Sequence, residues 1–262
     1  RFLRNMMEVY GLRSLSAAKK KLSELGKYLD KHRPGEQNTD DVQALKGMCR
    51  EWEAECLWGY FGWHYSHISN LRLAFYTGSV FTEEPTSRGD VSPVYKLLKN
   101  VNPDVISVAL DPEASGPDTH YKVLQVVTEA LKKYSDSESR QDLRVWGYRN
   151  VWYEFHPFEA NVYVPVSLNM FSIMRDAFMD TFNSQKDAPF PSYRLDGPFC
   201  ELAREIQVDQ YQKIKTCLGR EWFHNHKNPL IRATRGLVYL KDMNLQEFYS
   251  HSRKLRKAAE NR

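Results

Sequence analysis

Leu12, Leu15, Leu22 and Leu25 recur at helical intervals and predict a helix over residues 2–28. The turn residues Arg33-Pro34-Gly35-Glu36-Gln37-Asn38 predict a loop. Thr39 or Asp40 can cap a second helix, whose apolar face runs Val42, Leu45, Met48, Cys49, Trp52 and Cys56. Residues 71–76 are apolar and aromatic and run into Thr77-Gly78, which predicts a short buried strand. Asp90-Val91-Ser92-Pro93 starts another helix, with Val94, Leu97 and Leu98 inward, and Asn102-Pro103-Asp104 breaks it.

Val105-Ile106-Ser107-Val108-Ala109-Leu110 then forms an uninterrupted apolar run of strand length. Such runs suit a parallel sheet covered on both faces, which predicts an interior strand. Asp111 stands at its carboxyl end, followed by a loop to Gly116 and a helix over residues 118–133. The order strand, helix, strand, helix is that of a right-handed β-α-β wrap, so the fold class expected is α/β with a mainly parallel sheet flanked by helices. Further strands are expected at residues 143–148, 151–155 and 161–165. Helices at 167–182, 199–217 and 245–259 would make a helical C-terminal part, about 167–262, of one domain spanning 1–262.

Composition narrows the classes. With 42% hydrophobic residues the chain can bury a full core, and 15 Tyr, 13 Phe and 6 Trp are rings of the kind that also line sugar pockets. A net charge of +4 is too small for a dedicated nucleic-acid binder, so no nucleic-acid partner is expected. The basic tail Arg253, Lys254, Arg256 and Lys257 reads as the solvated face of a terminal helix. Cys49, Cys56, Cys200 and Cys217 show no CxxC spacing, so zinc-ribbon and redox motifs fail and reduced thiols in a cytoplasmic compartment, or an organelle matrix, are expected. No apolar run reaches the roughly 20 residues of a membrane helix, and no membrane partner is expected. The sequence opens at Arg1, already inside a helical pattern, which reads as part of something longer.

Ligands of open α/β sheets bind beyond the carboxyl ends of the strands. The loop from Asp111 to His120 lies there and holds Asp111, Glu113, Asp118 and His120 within ten residues. Carboxylate oxygen and imidazole nitrogen are ligand types zinc accepts, and a neighbouring carboxylate can orient an imidazole. On spacing alone the same residues are better explained if Asp118 and Thr119 cap the helix and His120 lies on the surface. His224-Asn225-His226 sits in a polar stretch before Asn228-Pro229 and reads as a loop, while His64 and His67 beside Trp63 and Tyr65 read as packing. A nucleophile elbow, a phosphate-cradling glycine loop and a HExxH helix are missing from the sequence.

Phe75-Tyr76-Thr77-Gly78, Asp90-Val91, Val101-Asn102-Pro103-Asp104-Val105-Ile106, Asp111 and Pro117-Asp118-Thr119-His120 follow one another in an order that resembles the later half of the PIG-L/LmbE family. These are Rossmann-like zinc-dependent deacetylases of N-acetylglucosamine derivatives. The likeness is greatest to the deacetylase-like domain fused behind a glucosamine-6-phosphate deaminase-like domain in some bacterial proteins. There it extends to Lys31–Glu36, Val42–Gly47, Arg50–Ala54, Trp146–Trp152, Val164–Ser167 and Ser184–Pro191.

The resemblance implies zinc-assisted amide hydrolysis, with His120 a zinc ligand and Asp111 or Asp118 orienting it. It also suggests Tyr76, Tyr148 and Arg149 as contacts for the sugar or its phosphate. The family's His-Pro-Asp-Asp run, source of two further ligands and the catalytic base, has no counterpart in this sequence, and Glu113, Ala114 and Ser115 look inserted. The domain is therefore expected to be incomplete at its N-terminus, without its first strand and helix, and inactive and zinc-free as an isolated chain. The segment could come from a second polypeptide, and the sheet edge beside residues 105–110 should be covered, either by another polypeptide or by the chain's own terminal helices. The competing readings are a non-catalytic structural subunit of a larger assembly and an accessory domain of a glucosamine-6-phosphate deaminase.

Overall fold

The computed structural model describes residues 1–33, 36–75, 82–113, 115, 118–188 and 194–260. Among them the chain forms two compact units. No helix of the described residues is long and apolar enough to cross a membrane.

The first unit takes in Arg1–Asn70 and Ala177–Asp187. The long opening helix expected from the leucine spacing is two helices, α1 (Phe2–Val9) and α2 (Leu15–Lys31). The chain breaks between them at Gly11, whose φ of 61° an L side chain would resist. Ser14 restarts it, its Oγ accepting the amide of Ala17 at 3.2 Å. With α3 (Asp40–Tyr60) these helices bury Met6, Ala18, Leu25, Val42 and Leu45 together. Glu53 of α3 is 2% exposed and accepts both the amide and the hydroxyl of Ser184 at 2.7 Å, while Arg50 lies 3.3 Å away. That pairing offsets the cost of burying its charge.

The second unit holds the sheet. After α4 (Ser92–Val101), Asn102 adopts a left-handed conformation and returns its amide to Leu98 at 2.8 Å, ending the helix. Its Oδ1 accepts from the Tyr134 hydroxyl and Arg140 Nη1, both at 2.6 Å, so this turn is tied down from two sides. Then come β1 (Val105–Ala109), α5 (Asp118–Ser137), β2 (Arg144–Tyr148), β3 (Val162–Val166), α6 (Leu168–Thr181) and α7 (Phe199–Leu218). The short helices α8 (Arg220–His224) and α9 (Pro229–Arg232) lead to β4 (Gly236–Asn244) and α10 (Leu245–Glu260). The strand order is β1-β2-β4-β3.

Several expectations change here. β1 and β2 are parallel, but β4 runs antiparallel to both β2 and β3, so the sheet is mixed. Among the described residues β1 is an edge strand, not the interior one expected, and only β2 pairs with it. The C-terminal part is not purely helical, because it supplies β4, which inserts between β2 and β3. The sequence around Leu237-Val238-Tyr239-Leu240 carries that apolar run, masked by the polar Lys241-Asp242 that follows. No strand forms at residues 71–75, where Phe75 is nevertheless buried in the core, nor at 151–155, which is a turn. Tyr76 lies outside the described residues. All four cysteines are free.

At Gly147 the packing is close. A Cβ there would collide with Leu110 Cδ1 and stand 3.3 Å from Met243 Cε, and Leu110 is fully buried. Gly147→Ala should therefore destabilise the chain by about 1–3 kcal/mol through overpacking. Chemical denaturation checks this, and an unchanged midpoint would contradict the packing described.

His251 on α10 is half-buried with Nε2 unpartnered. Burial, then Lys241 and Arg149, with Lys254 adding, push its pKa from 6.5 down to about 4, against the opposing Glu159. The folded chain thus favours the neutral ring. That contribution is complete above about pH 6.5 and is lost as pH falls through about 4. The Tm should fall across this window and fall less steeply in His251→Gln. Identical slopes would refute the assignment.

Candidate functional site

The parallel register places Ala109 opposite Tyr148, so the chain leaves β1 and β2 side by side. The amide of Leu110 donates to the carbonyl of Tyr148 at 2.7 Å, extending the pairing one residue past the strand. Asp111 follows, 2% exposed. Its Oδ1 accepts the backbone amide of Asn150 at 2.9 Å, and its Oδ2 faces His120 Nδ1 at 2.9 Å. His120 stands in the first turn of α5, as expected from the sequence, with a quarter of its side chain exposed.

Asn150 Nδ2 also approaches His120 Nδ1, at 3.3 Å, so two groups compete for one nitrogen. The carboxylate is closer, and a charge-assisted bond is roughly twice as strong as a neutral one. Nδ1 therefore carries the proton and donates to Asp111, which leaves Nε2 with its lone pair for a ligand. Asn150 is held in turn, its Oδ1 accepting the amide of Val151 at 2.8 Å. The Trp152 ring lies 6.3 Å from the imidazole.

The other residues singled out from the sequence fall differently. Asp118 does not touch His120. It pairs with Lys122 at 3.0 Å and accepts from the Thr82 hydroxyl at 3.4 Å. Lys122 Nζ also donates to the carbonyls of Thr82 and Glu83 at 2.8 and 3.1 Å. Burial opposes the Lys122 charge, but hydrogen bonds to Asp118 and Glu84 outweigh it and raise its pKa. This pair thus fastens residues 82–84 to α5. Tyr148, at the end of β2, has its pKa raised by burial and then by the Asp111 charge, which keeps the phenol protonated.

Arg149 is 5% exposed at its side chain, over the rings of Tyr153 and Phe155 at 4.5 and 4.6 Å. Nη2 pairs with Glu159 at 3.3 Å and Nη1 donates to the Glu154 carbonyl at 3.4 Å. Most of its fork is spent on the protein itself. His226 accepts the Asn228 amide and lies tilted against the Trp222 ring, and His64 caps a turn beside Tyr65.

A cavity of about 360 Å³ opens beside this cluster, lined by Tyr148, Arg149 and Asn150 together with Glu154, Gln207 and Tyr239 among others. Arg149 Nε and Gln207 Oε1 are buried there without a hydrogen-bond partner, and Glu154 Oε2 has only Lys213 Nζ at 3.6 Å, beyond bonding distance. Unpaired buried polar atoms cost about 1–3 kcal/mol each and call for a ligand or water. Nothing in the residue pattern singles out Gln207, which is one polar residue on a long helix. Asn150 was visible only as part of the Trp146–Trp152 stretch.

Zinc can be tested against these donors. Both oxygens of Asp111 are engaged, and among the described residues no group of three or more His, Cys, Asp or Glu side chains could hold a metal ion. One imidazole does not make a catalytic zinc site, which takes about three protein ligands.

Comparison with known proteins gives one finding to set beside this geometry. Over 172 residues the chain is 28% identical to a Bacteroides thetaiotaomicron protein whose name describes it as glucosamine-6-phosphate deaminase-like. The match takes in 65% of this chain and 26% of that protein, so the chain spans about a quarter of the relative's length. No protein-family model matches the chain, and no solved structure does.

Removing the Asp111 carboxylate strands the Asn150 amide and the His120 Nδ1–H. Asp111→Ala should lower stability by about 1–3 kcal/mol, and more than His120→Ala does. Urea unfolding of the two variants decides this. A His120→Ala loss equal to or larger than that of Asp111→Ala would contradict the bonding pattern.

Proposed function

We propose that this chain is the deacetylase-like part of a protein of amino-sugar metabolism, and that the Asp111–His120 pair with its adjoining cavity receives an N-acetylated amino sugar or its phosphate. The observation that carries the reading is the buried carboxylate that fixes His120 with Nε2 free at the carboxyl ends of two parallel strands. The cavity has the scale of a small-ligand site, and its unpaired donor at Arg149 and acceptor at Gln207 suit the hydroxyls of a sugar. The amino-sugar theme in the name of the Bacteroides relative supports it.

In this role His120 Nε2 accepts a hydrogen bond or proton from the bound ligand, Asp111 holds the ring in that tautomer, and Tyr148 offers a neutral phenol as donor. Asp118 serves the architecture through Lys122. Since the described donors do not fit a zinc ion, no step is assigned to a metal. The same donor count favours a second reading, a non-catalytic structural or accessory subunit, for instance beside a glucosamine-6-phosphate deaminase domain.

Calorimetric titration with N-acetylglucosamine 6-phosphate tests the site. Binding should be detectable and weaken about tenfold or more in Gln207→Ala and in His120→Ala. No binding by the intact chain would overturn the amino-sugar reading. Metal analysis after dialysis should find well under one zinc per chain, and one tightly held zinc would overturn the conclusion on the donors.

A further inference from the structure

A second cleft, larger than the first and sharing no residue with it, lies among α6, α7, α8 and α9 of the same unit, with a volume of about 780 Å³. Six cations line it: Arg175, Arg204, Lys215, Arg220, Arg232 and Arg235. No carboxylate does. The chain as a whole is only +4, so this cleft concentrates charge that the rest of the molecule balances.

How the cations are held decides what they are for. Arg175 and Arg204 share Glu201, at 3.2 and 3.1 Å, and are partly neutralised by it. The other four have no ion pair with a carboxylate among the described residues. Arg232 donates Nη1 to the carbonyls of His226 and Lys227 at 2.8 and 3.0 Å. Arg235 donates Nη1 to those of Arg232 and Thr234 at 3.2 and 2.7 Å. Backbone carbonyls orient a guanidinium without cancelling its charge, leaving its other N–H groups for an anion. Lys215 stands 5.6 Å over the Tyr211 ring, which steadies it without neutralising it. Holding like charges together costs stability, and an anionic ligand would repay that cost.

Guanidinium forks match phosphate oxygens bidentately, and the cleft is of a size that accommodates far more than one phosphate ion. Phe171, Tyr211 and Phe223 on its wall offer apolar surface for an organic body. A nucleic acid or lipid surface would be met by an extended basic stripe, whereas here the cations converge on one concavity. We propose that this cleft binds a soluble organic anion carrying two or more linked phosphate groups. The proposal is independent of the site at His120.

Calorimetry on the whole chain with ATP, inorganic pyrophosphate and inorganic phosphate at fixed ionic strength tests it. Pyrophosphate and ATP should bind at least about tenfold tighter than phosphate. The double charge reversal Lys215→Glu and Arg220→Glu should weaken both by about tenfold or more, while Arg253→Glu with Lys254→Glu on α10 should change them less than about twofold. If the first pair disturbs folding by circular dichroism, Lys215→Gln with Arg220→Gln replaces it, with a loss of binding still expected. Equal weakening by the α10 pair would reduce the effect to bulk charge and overturn the proposal. So would failure of both soluble polyphosphates to bind, or retention only by RNA or by phosphatidylserine vesicles.

Discussion

The carboxylate of Asp111 is the constraint on which the site depends. It is almost wholly removed from water, and a buried carboxylate is tolerated only if its lone pairs are met. One oxygen takes the Asn150 amide just past β2, and the other takes the imidazole at the start of α5. Three separate stretches of chain are thereby joined at one point. Upstream of that point, Leu110 fills the space that Gly147 leaves open, so the absence of one side chain on β2 permits the path that delivers Asp111. A local steric fact and a local electrostatic one together set the orientation of His120.

Much of the second unit could be read in advance because it depends on contiguous signals. The apolar run at residues 105–110 forms β1, Asn102-Pro103 ends the helix before it, and α6, α7 and α10 match the expected spans within a residue or two. What the pattern did not disclose is pairing. Whether a strand lies inside a sheet or at its edge depends on which distant segment joins it, and here that segment is β4, over ninety residues downstream of β2. Its outer half is polar enough to resemble a loop, so the antiparallel centre of the sheet went unseen and the parallel character was overstated.

The candidate site was legible to the same degree. Asp111 and His120 stood in the loop after a strand and were singled out by the family resemblance, and the structure brings the two side chains together. Asp118 had the same credentials, yet the buried Lys122 one helical turn on takes its carboxylate. Arg149 looked available as a whole guanidinium, but Tyr153 and Phe155 cover it and Glu159 pairs with it, which leaves Nε as its unpaired donor. Gln207 and Asn150 gain meaning only from the cavity they help to line. Chemical identity was visible in one dimension, while availability is set by neighbours that only folding brings near.

The second unit therefore presents two concavities of opposite design. One is small, with a few unpaired donors and acceptors and with Asn150, which reaches the His120 ring, on its wall, and the other is broad and cationic. The central claim is that Asp111 fixes His120 with Nε2 unprotonated and open to a ligand. Nitrogen-15 NMR of the histidine rings near pH 8 reads the tautomer directly. The account predicts His120 as the Nδ1–H form, with its Nε2 resonance shifting on addition of N-acetylglucosamine 6-phosphate and the tautomer preference lost in Asp111→Ala. An Nε2–H form in the unaltered chain would contradict it.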